Sequence, residues 1–130
     1  IAGQASGQIQ ARTKKVMFPD RFIVLLLEFM NRGTVQDWME KNVLLPGGIL
    51  KTMRCVAAAL AHMHKCRLIH NDVKPENVLL CQMDEKNPRA EVLVKLADFG
   101  LSEKSLDKSA DFAHYGMTVL CMTTGEKFGH

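Results

Sequence analysis

The sequence predicts an α+β fold: a small piece of sheet, then a mainly helical lobe with short strands among its helices. Three observations predict it. Strand-length apolar runs occur at residues 22–29 and 92–97, helical periodicity runs through residues 49–65 and 111–123, and Pro-, Gly- and Asn-rich breaks separate the segments. At 130 residues the chain fits one domain or part of one.

Taken in order, residues 1–11 are rich in Gly, Gln, Ala and Ser with no apolar period, so residues 1–12 read as a flexible segment ahead of a domain at 13–130. Residues 16–18, the Pro19-Asp20 pair and residues 22–29 read as strand, turn and strand. The second strand is almost continuously apolar and is expected to be buried on both faces. A short helix is expected at 34–41, and Pro46-Gly47-Gly48 is expected to break the chain. A longer helix follows at 49–65, with Met53, Val56, Ala57, Leu60, Ala61 and His64 on its apolar face. Residues 68–70, 78–81 and 92–97 read as short strands, with a polar connection at 82–89. The last helix, 111–123, ends before Gly125.

Composition narrows the function classes. Hydrophobic residues make up 47% and charged residues 24%, as in ordinary globular proteins. The formal charge is only +3 and the basic residues are scattered, which argues against a nucleic-acid surface. No apolar run reaches the ~20 residues needed to span a bilayer, so no membrane partner is expected. Cys55, Cys66, Cys81 and Cys121 form no Cys-x-x-Cys pair and read as reduced thiols of a cytoplasmic protein.

The chemistry concentrates in Ile69-His70-Asn71-Asp72-Val73-Lys74-Pro75-Glu76-Asn77-Val78-Leu79-Leu80. Twenty-six residues after Asp72 comes Lys95-Leu96-Ala97-Asp98-Phe99-Gly100. The first stretch resembles the protein-kinase catalytic loop, His-x-Asp-x-Lys-x-x-Asn, and the second resembles the Asp-Phe-Gly segment of the same family. Asp-Phe-Gly alone is weak, but both motifs in this order, each preceded by a short apolar strand, are specific. The resemblance implies a partial kinase-like fold, with part of an upper-lobe sheet and a mainly helical lower lobe. It also implies ATP and Mg²⁺ as cofactors and a protein substrate. The Lys of the loop implies transfer to Ser or Thr.

Phosphoryl transfer needs positioning and charge neutralisation more than covalent chemistry. By the resemblance, Asp72 takes the proton of the attacking hydroxyl and Lys74 offsets charge on the transferred phosphate. Asn77 and Asp98 are the Mg²⁺ ligands, both hard oxygen donors. His70 is expected to be structural. Residues 25–34 resemble the strand and hinge that hold adenine: Leu27 would be the gatekeeper, the backbones of Glu28 and Met30 would bond the base, and Leu79 would be the floor beneath it. Asp111 opens a stretch similar to the helix that anchors the catalytic loop, where it would accept hydrogen bonds from loop N–H groups. A simple N-cap is the alternative reading.

The resemblance covers residues 16–128, the middle of a kinase domain. Upstream there is no Gly-x-Gly-x-x-Gly loop, no Val-Ala-x-Lys strand and no helical Glu to pair with such a Lys. Asn71 stands where most kinases have Arg. Only residues 101–110 separate Gly100 from Asp111, and the Ala-Pro-Glu segment is absent. A fragment of a longer kinase, a shortened relative and a pseudokinase-like scaffold all fit these departures. Each would leave lower-lobe apolar surface for a partner to cover.

Overall fold

The computed structural model describes residues 8–11, 14–17 and 23–127. Strands β1 (Gln8–Ala11) and β2 (Lys14–Met17) pair antiparallel, Gln8 opposite Met17 and Ala11 opposite Lys14. β1 falls in the stretch expected to be flexible. A backbone ladder needs no apolar period, so composition alone misses it. The rest of that stretch outside 8–11 and the Pro19-Asp20 turn lie outside the described residues.

The strand expected at 22–29 is corrected by the structure. Residues 23–30 form no strand, and the run is exposed rather than buried on both faces, with Leu26 96% and Leu27 78% accessible. An apolar run becomes a buried strand only where neighbouring strands take its N–H and C=O groups. Among the described residues no strand pairs with it.

Helix α1 (Val35–Glu40) begins on a reciprocal capping box. The Asp37 N–H donates to Thr34 Oγ1 at 3.1 Å, and the Thr34 N–H donates to Asp37 Oδ2 at 2.8 Å. Helix α2 (Pro46–Lys65) starts three residues earlier than expected. Pro46 takes the first helical position, where its missing N–H costs nothing, so it opens the helix instead of breaking the chain. The buried stripe of α2 is Thr52, Val56, Leu60 and Met63. Ala57 and Ala61, expected on that face, instead line an apolar groove of about 470 Å³ with Phe112 and Tyr115. His62, His64 and Lys65 occupy the last turn, where positive groups suit the helix dipole.

Two further short strand pairings follow. β3 (Leu68–Ile69) pairs with β6 (Glu103–Lys104), and β4 (Val78–Gln82) pairs with β5 (Val92–Leu96). All these pairs are antiparallel. A 3₁₀ turn, Pro75–Asn77, leads into β4. Helix α3 (Ser109–Thr124) ends on Gly125 in the left-handed conformation, φ +75°. Val35, Val56, Leu60, Met63, Val73, Val78, Leu80, Leu96 and Met122 form the core between α1, α2, α3 and the β4–β5 hairpin. Among the described residues no helix is long and apolar enough to cross a membrane.

Candidate active site

The segment between β3 and β4 is closed by its own side chains. Lys74 is extended, as a residue before proline prefers, and Pro75 starts the 3₁₀ turn that carries Asn77 back toward Asp72. Asn77 Nδ2 donates to the Asp72 carbonyl oxygen at 2.8 Å and to Asp72 Oδ2 at 2.9 Å. Lys74 Nζ lies 3.3 Å from Asp72 Oδ1. Asp72, Lys74 and Asn77 are therefore one constellation, and Asp72 and Lys74 remain partly open to solvent. With both Nδ2 hydrogens committed to Asp72, the Asn77 amide oxygen is left as its free acceptor.

Asp111 holds this loop from below. It is the third residue of α3, not the N-cap, which is Lys108. Its buried carboxylate accepts from the His70 N–H at 2.9 Å and the Asn71 N–H at 2.7 Å, and His64 Nε2 stands 2.8 Å from Oδ2. Burial alone would raise the Asp111 pKa, but the hydrogen bonds from His64, Asn71 and His70 outweigh it and hold the carboxyl below its ordinary range. Asn71 has φ +68°, a conformation that Asn tolerates better than most residues.

His70 links the loop to the Asp98 segment. Its Nε2 is 2.8 Å from the Ala97 carbonyl, and its Nδ1 accepts the Asp72 N–H at 3.2 Å. A carbonyl only accepts and an amide N–H only donates, so these partners assign the ring as neutral with its proton on Nε2. The Ala97 N–H donates to the Asn77 carbonyl at 2.8 Å. Ala97, the residue before Asp98, is thus held by His70 through its carbonyl and by Asn77 through its N–H. Asp98 itself is exposed with φ +60°, and the Gly100 N–H donates weakly to its Oδ1 at 3.3 Å. Phe99 packs edge-on to His70, ring centres 5.2 Å apart.

The residues read as base-binding divide into two groups. Leu79 is half-buried on β4, bridged to Thr34, and residues 31–34 dock along that strand. The Arg32 N–H donates to the Leu80 carbonyl at 3.0 Å, and the Leu80 N–H to the Gly33 carbonyl at 2.9 Å. Asn31 Oδ1 accepts the Gln82 N–H at 2.8 Å. Leu27 and Glu28 project into solvent and Met30 is half-buried. Glu28 is joined to β5 by an ion pair with Lys95.

Several supporting residues escaped the sequence reading. The helical period placed His64 on the packed face of α2 but gave it no polar role. Ser102 Oγ donates to the His70 carbonyl at 3.3 Å, and Thr118, buried in α3, donates to the Val73 carbonyl at 3.3 Å. No local spacing signals these contacts, which join residues 32 and 45 positions apart.

A family model described as protein kinase domain matches residues 9–125. The chain is 37% identical over 84 residues to the mouse serine/threonine-protein kinase DCLK3, covering 62% of this chain and 10% of that protein. It is 28% identical to the zebrafish (Danio rerio) serine/threonine-protein kinase SBK1, covering 82% of this chain and 34% of that protein. Among solved structures, the Rad53 kinase domain with SCD2 in complex with AMPPNP superposes with a TM-score of 0.66 at 25% identity. That match covers 79% of this chain and 45% of the solved chain. The chain thus spans a tenth to a third of these two curated relatives' lengths.

Proposed function

This chain belongs to the protein kinase domain family, and from that premise we propose that it carries the phosphoryl-transfer half of an ATP- and Mg²⁺-dependent protein serine/threonine kinase. The observation that carries the reading is the closed constellation of Asp72, Lys74 and Asn77, linked through Ala97 to Asp98.

The donor chemistry fits a metal–nucleotide ligand. The Asn77 amide oxygen and the Asp98 carboxylate are hard oxygen donors, and the Asp98 carboxylate has no ion-pair partner among the described residues. Mg²⁺ characteristically takes one or two protein oxygens and completes its shell with phosphate and water. When bound, Mg²⁺–ATP supplies the phosphoryl group and the positive charge that offsets it. In this proposal, Asp72 accepts the proton of a substrate Ser or Thr hydroxyl. Asn77 orients the Asp72 carboxylate through Oδ2, which leaves Oδ1 beside Lys74. The Lys74 ammonium neutralises charge developing on the transferred group. His70, neutral and bonded on both ring nitrogens, keeps the loop in register with Asp98.

The first test is a thermal-shift titration of the chain with ATP and Mg²⁺. A ligand at 100 times its Kd adds about 2.7 kcal/mol when only the folded state binds. A Mg²⁺-dependent rise in Tm that Asp98→Asn abolishes supports the reading, and a cooperative melt that never shifts refutes it. Phosphate transfer lost in Asp72→Asn would then assign the base.

The exposed Leu27 side chain favours a second reading, a pseudokinase-like binding module whose base pocket is not walled. Stoichiometric partner binding that survives Asp72→Asn, with no phosphate transfer by the wild type, would select it.

A further inference from the structure

Residues 23–30 make no strand, yet by the kinase reading they carry the backbone groups that bond the base. Among the described residues, one side chain in this segment makes an ion pair with another element: Glu28, paired with Lys95. The partners are 67 residues apart in sequence. Lys95 sits on β5 directly opposite Leu79 on β4, so the two side chains share one face of the hairpin. Leu79 is also bridged to Thr34, four residues beyond Met30. The segment is therefore held to the β4–β5 hairpin at two places, by the backbone at 31–34 and by the Glu28 carboxylate. The face it is held over carries the apolar residue read as the floor of the base site.

We propose that the Lys95–Glu28 ion pair is a positioning device for the nucleotide base, holding residues 28–30 across from Leu79 and setting the base end of the site. The inference rests on the kinase reading and adds to it a residue that the catalytic constellation does not use. Lys95 touches neither Asp72, Lys74 nor Asn77 through any hydrogen bond or ion pair among the described residues. Its effect therefore falls on base recognition and not on the phosphate end. Both partners are about half exposed, so the effect is modest and salt-sensitive.

The experiment measures Kd of the full chain for Mg²⁺–ATP and for Mg²⁺–tripolyphosphate, which has the phosphates without the base. The variants are Lys95→Met, Glu28→Gln and the charge swap Lys95→Glu with Glu28→Lys. Each single variant is expected to weaken Mg²⁺–ATP about threefold, the size an exposed pair allows. Tripolyphosphate affinity stays at the wild-type value, and the swap restores most of the ATP affinity. Single variants with wild-type ATP affinity, or a swap that recovers nothing, would overturn the positioning role while leaving the kinase reading standing. Equal weakening toward both probes would also overturn it, because a general loss of structure does not discriminate between the two ends. A wild-type chain that binds neither probe overturns the kinase reading and this inference together.

Discussion

His64 on α2 and Asp111 on α3 meet at 2.8 Å, and both side chains are almost completely buried. This contact ties two helices together directly beneath the loop that carries Asp72, because the same carboxylate also accepts the N–H groups of His70 and Asn71. A buried carboxylate is tolerable only when its oxygens are fully bonded, and here each oxygen has a donor.

Removing the imidazole leaves Asp111 short of one partner in a dry site. His64→Ala is expected to destabilise the chain by about 1–3 kcal/mol. Urea denaturation with an unchanged m-value checks it. Nucleotide-independent loss of stability would mark the role as structural support of the loop.

The same carboxylate gives stability a pH dependence. The folded-state pKa of Asp111 lies below its unfolded value, so its contribution is fully present above the unfolded carboxylate range, near ~3.9. It is lost as pH falls through the lower folded-state value. Urea midpoints of wild type and Asp111→Asn, measured from pH 6 down to the limit of folding, should converge at the acid end. A constant gap across the whole range would contradict this.

Asn77 is expected to be sensitive to an isosteric change. In Asn77→Asp, a carboxylate oxygen replaces the Nδ2 that now sits 2.9 Å from Asp72 Oδ2, turning a donor–acceptor contact into a like-charge one. A loss of about 2 kcal/mol is expected at pH 7, shrinking under mild acid as one of the pair takes up a proton. Denaturant titrations at pH 7 and pH 5 check it, and an equal loss at both values would contradict the charge clash.

Two glycines with positive φ should respond differently to alanine. At Gly33, φ +71°, an added Cβ would lie 2.6 Å from Asp37 Oδ2, the group that closes the α1 capping box. At Gly125, φ +75°, an added Cβ meets nothing within 4 Å. Gly125→Ala is expected to cost about 1 kcal/mol from backbone strain alone. Gly33→Ala should cost about 1 kcal/mol more, because the cap must also yield. Equal Tm losses would rule out the clash.

Much of the site was legible in the sequence because its chemistry is local. Asp72, Lys74 and Asn77 lie within six residues, and the 3₁₀ turn started by Pro75 is enough to fold Asn77 back onto Asp72. Asp111 was read as the anchor of the loop, and the His70 and Asn71 contacts bear that out. Proline at a first helical position looks, in sequence, like a break, which hides the true start of α2 at Pro46. The apolar stretch at 22–29 was misread for a different reason. Apolar composition records what a segment can bury, whereas burial itself needs neighbours on the other side.

The sequence by itself determined the family, the three helices, the strands β3, β4 and β5, and the local grouping of Asp72, Lys74 and Asn77. Those depend on periodicity and on motifs spanning a few residues. Only the tertiary structure decided that His64 completes the shell around Asp111, that Ala97 joins Asn77 to the Asp98 segment, and that Lys95 reaches Glu28. Each of these contacts joins residues 20 or more positions apart, and hydrogen bonds and ion pairs at that separation leave no period or spacing in the chain. They exist because the core places α2, α3 and the β4–β5 hairpin side by side, and where polar groups such as His64 and Asp111 are carried into that interior they must find partners there.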